Sequence, residues 1–194
     1  MNVKKMITGL VLLMLMSSGM VVAADFNKGL KAAQSGDFKT ALAEWTPLAE
    51  LGYASAQYNL GIMYDNGNGV LENDKTAVKW FTLAADQGDI LAQKQLGDMY
   101  LRVGKRRTAA KWITKAAKQG DASSQLNLGA MYYIGDGVLT DYTKAYMWLN
   151  LAAYNGNQFG NKSKQEVAAQ MGTAQIAKAQ DMSSRCLNSG YTDC

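Results

Sequence analysis

The chain spells out one pattern three times. Leu60-Gly61-Ile62-Met63-Tyr64 recurs as Leu96-Gly97-Asp98-Met99-Tyr100 and again as Leu128-Gly129-Ala130-Met131-Tyr132, at offsets of 36 and 32 residues. A second word follows each copy: Trp80, Ala84-Ala85 and Gly88; then Trp112, Ala116-Ala117 and Gly120; then Trp148, Ala152-Ala153 and Gly156, at offsets of 32 and 36. Order and internal spacing hold in every copy. A fixed period of this size is the signature of a stack of supersecondary units, none of which buries its apolar faces alone.

Each copy reads as two helices, the first over about Ser55 to Tyr64 and the second over about Asp74 to Gln87. Leu60, Met63 and Tyr64 fall at i, i+3 and i+4, and Ala77, Trp80, Ala84 and Ala85 line a face in the same way. Asn73 and Asp141 stand where N-caps of the second helices belong, and Asp89 and Asp121 where they cap the next first helices. Gly88, Gly120 and Gly156 sit where left-handed C-caps are wanted. Gly61, Gly97 and Gly129 lie inside helices, each at about 1 kcal/mol against alanine, and so imply close approach of a neighbouring helix. The fold class expected is therefore all-α: an α/α solenoid, a right-handed superhelix of antiparallel helix pairs.

The phasing extends past the three copies. Lys39-Thr40-Ala41 matches Lys75-Thr76-Ala77, and Gly52 matches Gly88, so residues 25–52 form an opening helix pair with a turn at Ser35-Gly36-Asp37. Pro47, the one proline of the chain, is expected to kink its second helix. Repeats are assigned to residues 53–88, 89–120 and 121–157. Residues 158–194 read as a polar cap, with helices over Asn161 to Met171 and Ala174 to Cys186 and Thr173 as an N-cap between them. The middle copy is irregular. Tyr64 to Trp80 and Tyr132 to Trp148 each span 16 residues, whereas Tyr100 to Trp112 spans 12, so four residues are missing from its inner turn and the superhelix is expected to bend differently there.

Residues 1–24 stand apart. Lys4 and Lys5, the apolar run Ile7 to Met16, and Val22-Ala23-Ala24 form the three-part pattern of a secretory signal. The rival reading is a retained anchor, since Met6 to Ala24 carries no charge and is almost long enough to span a bilayer. Export makes Cys186 and Cys194, the only two cysteines, a disulfide in an oxidising compartment. The alternative is a tail that pairs with another chain. Without Lys4 and Lys5, 18 of the 20 basic residues remain against 16 acidic ones. That balance points away from nucleic acid.

These words resemble the Sel-one-like repeat, a helical-pair family related to tetratricopeptide repeats, in which A-x-x-x-L-G-x-x-Y is followed by G-x-G-V, K-A-x-x-W and A-A-x-x-G. Ala56, Leu60, Gly61, Tyr64, Gly67, Gly69, Val70, Trp80, Ala84, Ala85 and Gly88 fill the pattern in the first copy. Leu128, Gly129, Tyr132, Gly135, Gly137, Val138, Lys144, Ala145, Trp148, Ala152, Ala153 and Gly156 fill it in the third. The middle copy lacks G-x-G-V and has a tighter turn resembling a tetratricopeptide repeat. The resemblance speaks to fold and is nearly silent on activity.

No histidine is present, and no cysteine lies within the repeats. Histidine bases, Ser-His-Asp triads and most zinc sites are thereby removed. No catalytic, cofactor or metal residue is assigned. Gly67-Asn68-Gly69 and Gly135-Asp136-Gly137 follow no strand and read as loops between helices rather than phosphate cradles. Two features suit a protein or peptide partner. Gln57, Asn59, Gln93, Gln95, Gln125 and Asn127 recur at equivalent places on the first helices, which line the concave face in related solenoids, and their amides suit a peptide backbone. Arg102, Lys105, Arg106 and Arg107, with Lys111, suit an acidic partner or anionic headgroups. The function expected is a non-enzymatic, protein- or peptide-binding scaffold in the periplasm or cell envelope. The alternative is an envelope hydrolase acting on β-lactams or peptidoglycan, which rests on family analogy alone: the chain lacks the paired repeat cysteines of the members described as β-lactamases.

Overall fold

The computed structural model describes residues 24–194, so the signal read in residues 1–24 lies, but for its last residue, outside the described residues. Ten helices and no strand occur among them: α1 (Phe26–Gln34), α2 (Phe38–Glu50), α3 (Ala54–Asn66), α4 (Asp74–Asp86), α5 (Ile90–Arg102), α6 (Arg106–Ala117), α7 (Ala122–Ile134), α8 (Tyr142–Tyr154), α9 (Gly160–Ala168) and α10 (Thr173–Asn188). From α1 to α9 each helix packs on the next in sequence, and α10 folds back onto α8. The fold is the expected all-α solenoid of helix pairs.

The caps are where the sequence puts them. Asp89 and Asp121 accept the Ala92 and Ser124 N–H groups at 2.8 and 2.6 Å, and Asn73 and Asp141 accept those of Thr76 and Lys144 at 2.9 and 3.0 Å. These bonds satisfy donors that the first helical turn leaves without an intrahelical partner. In the cap, by contrast, Thr173 is the first helical residue of α10 and Gly172 precedes it as N-cap. Gly172 has no acceptor side chain, so the contact runs the other way: its N–H donates to Gln175 Oε1 at 3.1 Å. Helix α10 extends to Asn188, past the Cys186 expected as its end, and α9 is the shorter of the two. Pro47 lies inside α2, which runs unbroken through it.

Within each pair the mid-helix glycine is a seat for one large side chain. A Cβ on Gly61 would lie 2.5 Å from the Phe81 ring, one on Gly97 2.7 Å from Ile113, and one on Gly129 2.7 Å from Leu149. The opening pair has the same device, since a Cβ on Gly29 would lie 2.5 Å from Trp45 Nε1. The backbones of the paired helices approach at that point, and the helix propensity forgone is offset by the buried ring or branched chain. Between pairs, the core runs as clusters across the seams. Ala41, Trp45, Leu60 and Met63 join the opening pair to α3, Phe81, Ala85 and Leu96 join α4 to α5, and Ile113, Leu128, Met147 and Leu151 join α6 to α7 and α8.

The spacing of these seats also exposes an alternation. Gly29 to Trp45 and Gly97 to Ile113 span 16 residues, whereas Gly61 to Phe81 and Gly129 to Leu149 span 20. Short and long inner turns therefore alternate along the stack. One hydrogen bond absorbs the difference. The residue before the second helix donates its N–H to a fixed carbonyl near the end of the first in all four pairs: Asp37 to Ala32 at 2.8 Å, Asn73 to Tyr64 at 2.8 Å, Lys105 to Tyr100 at 2.9 Å and Asp141 to Tyr132 at 2.9 Å.

Gly61→Ala is expected to lose about 1–3 kcal/mol of stability although alanine is the better helix former, because the Phe81 ring must move. Urea unfolding followed by helical circular dichroism measures it, and a stabilised variant would show that the seat is not close-packed.

Candidate interaction surfaces

The six recurrent amides divide into two sets. Gln57, Gln93 and Gln125 are buried, at 4%, 3% and 0% exposure. Their Nε2 groups donate to the carbonyls of Ala49, Ala85 and Ala117, each at 3.0 Å, at the end of the preceding pair's second helix. Their Oε1 atoms accept from Gln87 Nε2 at 2.7 Å, Gln119 Nε2 at 2.9 Å and Asn155 Nδ2 at 2.8 Å. Each amide thus spans the seam, filling an open acceptor site on a helix-terminal carbonyl. These three are occupied within the protein and are not open to a peptide, which corrects the expectation for half of the set. Their partners Gln87, Gln119 and Asn155 recur at the same 32 and 36 offsets as the tryptophans, a signal the sequence carried unread.

Asn59, Gln95 and Asn127, two residues further along, are half-buried, and their side chains make no hydrogen bond among the described residues. The two-residue step turns the side chain away from the seam, because positions i and i+2 do not share a helix face. Asp98 is one turn beyond Gln95, where the other copies carry Ile62 and Ala130. Burial pushes its carboxyl above the ordinary carboxylate value; Lys94 and Arg102 oppose this and Asp121 adds to it. The break in the repeat at Asp98 was visible in the sequence, but its half-buried setting was not.

The basic cluster is also divided. Arg102 pairs with Asp65 at 2.9 Å and ties α5 to α3, while Arg106 pairs with Asp136 at 3.2 Å and ties α6 to the inner loop of the next pair. Lys105 Nζ lies 5.9 Å from the centre of the Tyr100 ring. Arg107 and Lys111 make no ion pair among the described residues. The single basic patch expected from the sequence is thus two inter-pair links with three flanking cations.

At the far end, Cys186 and Cys194 are bonded to each other. Both pack against the cluster that holds Ile113 and Trp148. The loop they close carries Tyr191, whose ring lies beneath Gly120 and whose hydroxyl donates to Asn155 Oδ1 at 2.9 Å. At the near end the buried Glu44 accepts the Asp25 N–H at 2.8 Å and the Lys28 ammonium at 2.5 Å. The hydrogen bond from Lys28, then that from the Asp25 N–H, holds the Glu44 carboxyl below its usual range.

Seated glycines, alanine pairs at helix ends and amides bridging the seams define a solenoid of short helical pairs. The Sel1 repeat model matches residues 54–89, 90–121 and 122–157, more than half of the chain, and the chain belongs to this family. A crystal structure of a Sel1 repeat protein from Oxalobacter formigenes superposes with a TM-score of 0.69 at 23% identity, over 84% of this chain and 75% of that one. The chain is also similar to the crystal structure of c5321, a protective antigen of uropathogenic Escherichia coli with an SLR fold, with TM-score 0.49 and 28% identity. That match covers 84% of this chain and 44% of the antigen. No curated protein matches. The family is one of repeat scaffolds for protein interaction.

Two neighbouring glutamines on α5 separate the roles. Gln93→Ala is expected to cost about 1–3 kcal/mol, because it removes the buried bond to the Ala85 carbonyl and leaves a gap at the seam, while Gln119 keeps its bond to the Gly88 carbonyl. Gln95→Ala is expected to stay within about 0.5 kcal/mol. Equal losses in urea unfolding would sink the division. Asp98→Asn is expected to raise the melting temperature at pH 7. The folded state holds the proton more tightly than the unfolded one, so stability falls as pH rises from the unfolded Asp value of about 3.9 through the raised folded value. The gain should vanish below both values, which melts at pH 3 and pH 7 compare directly.

Proposed function

We propose that the chain is a non-catalytic scaffold of the bacterial cell envelope that holds an extended protein segment along the exposed faces of α3, α5 and α7. One observation carries this reading. Asn59, Gln95 and Asn127 stand at the same register of three successive first helices, partly exposed, with amides that nothing in the described chain engages. Side-chain amides offer a donor and an acceptor each, which is what an extended backbone presents in return. Asp98, half-buried one turn beyond Gln95 and without a hydrogen-bond partner among the described residues, adds one acceptor that gains strength from its partly desolvated place and suits an amine or a backbone N–H.

An extracytoplasmic setting is supported by the Cys186–Cys194 bond and by the signal-like pattern of residues 1–24. Among the described residues no helix is long and apolar enough to cross a membrane. Beside its amides the face of α3, α5 and α7 carries the carboxylate of Asp98, and among the described residues no acid, base and nucleophile are gathered there, which supports binding over turnover.

The test is capture from a periplasmic extract by the wild-type chain and by Asn59→Ala/Gln95→Ala/Asn127→Ala, read by mass spectrometry. The triple variant is expected to keep its helical spectrum and melting behaviour and to lose the partners that the wild type retains. An unchanged set of partners would place binding elsewhere on the molecule.

A further inference from the structure

The alternation of inner turns leaves one seat of the solenoid empty. In the two long loops the second glycine lies on the first residue of the preceding pair's second helix. A Cβ on Gly69 would lie 2.6 Å from Phe38 Cβ, and one on Gly137 2.4 Å from the Arg106 carbonyl oxygen. The valine that follows each glycine then packs one turn further along the same helix. Val70 joins the cluster that includes Phe38 and Leu42, and Val138 joins the one that includes Ala110. Phe38, Asp74 and Arg106 are equivalent residues, as are Leu42, Val78 and Ala110. At α4 the covering loop would come from the next pair, and that pair has only the short turn after α5. Val78 and the start of α4 are therefore left without the glycine and valine that cover α2 and α6.

What remains is a notch of about 320 Å³ lined by Asp74, Lys75, Val78, Tyr100, Val103 and Lys105, with Met99 beneath. Its floor is apolar, and Val103 at its edge is 59% exposed. Lys75 and Lys105 are both exposed at its rim.

We infer that this notch is a second docking site, which takes an extended segment of a partner protein carrying glycine, then a β-branched aliphatic residue, then an acidic residue. The first two features are read from the chain itself, because Gly69-Val70 and Gly137-Val138 fill the two equivalent seats. The third is charge complementarity with Lys75 and Lys105, two cations against the one carboxylate of Asp74 in the lining. The loop of the first repeat supplies a ready probe: Asn66 to Glu72 contains the glycine, the valine and, two residues on, a carboxylate. The site is at the inner turns, apart from the exposed faces of α3, α5 and α7, and it stands or falls independently of the amide surface proposed above.

The experiment titrates the full chain with a blocked heptapeptide copying residues 66–72 and follows the methyl resonances of Val78, Met99 and Val103 by NMR. Saturable shifts are expected at these three, with those of Leu91 and Ile134 unmoved. Val103→Asp changes a side chain already largely in solvent, so the fold is retained, and it should weaken the peptide about tenfold. A heptapeptide with valine replaced by glycine should weaken similarly, and Lys75→Glu/Lys105→Glu should reverse a preference for glutamate over lysine at the last peptide position. The triple amide variant should bind the peptide as the wild type does. No shift at millimolar peptide, or shifts indifferent to Val103→Asp, would overturn the inference. Concentration-dependent shifts of the same methyls without peptide would place a second copy of the chain in the notch and overturn the assignment to a different partner.

Discussion

The structure depends on a problem at the end of every second helix. The last carbonyls of a helix have no intrahelical donor, and here they lie at a seam buried by the next pair. Ala49, Ala85 and Ala117 each bond the N–H of the glycine three residues on, and each then takes a second bond from a glutamine of the following pair at 3.0 Å. That glutamine is itself satisfied on its oxygen by an amide at the end of its own pair's second helix. A buried amide with an unsatisfied end costs more than the bond it makes returns, so the bridge works only as a closed set. The seam between successive pairs is thereby fixed in register as well as in apolar contact.

Termination of the array follows from the same constraint. The last repeat has no further glutamine to offer. Gly160 of α9 instead approaches Ala153 so closely that a Cβ would lie 2.5 Å from its backbone nitrogen. Asn155, the final amide of the series, bonds Gln125 on one side and the Tyr191 hydroxyl on the other. Tyr191 has a φ of +68°, a left-handed conformation that tyrosine rarely adopts. The Cys186–Cys194 bond closes the loop around it. The disulfide is thus more than a tie on a loose end: it holds the side chain that completes the amide series where the repeats run out.

Much of this was legible in the sequence. The period, the caps at Asn73, Asp89, Asp121 and Asp141, and the packing role of Gly61, Gly97 and Gly129 follow from local chemistry repeated at fixed offsets. Less legible was which of two identical amides faces inward. Gln93 and Gln95 are the same residue two positions apart on one helix, and only the phase of the helix against the preceding pair decides that one bridges a seam while the other meets solvent. The pairing of Arg102 with Asp65 was hidden for a similar reason, since it joins residues 37 apart across two first helices. At Gly172 the local rule failed because the cap bond comes from a side chain inside the helix rather than ahead of it.

The four residues missing from the middle copy acquire a different meaning in the structure. The hydrogen bond from Lys105 to the Tyr100 carbonyl repeats the brace of the long loops, so the shorter turn enters its second helix from the same anchor. The deletion does remove a cap: α6 starts behind Lys105, which has no acceptor side chain, where α4 and α8 start behind Asn73 and Asp141. The opening pair has an equally short turn yet keeps Asp37 as its cap, so shortness alone does not require the loss. Two consequences therefore meet beside the middle repeat, a bare helix start with two arginines in its first turn and, on α4, a partly buried Val78 that lacks the loop valine packed beside its counterparts. Regular solenoids spread their contacts evenly over all units. This one sets Asp98, the uncapped start of α6 and the notch beside Val78 next to one another where the first and middle repeats meet, which makes that junction a place where the molecule departs from a uniform stack.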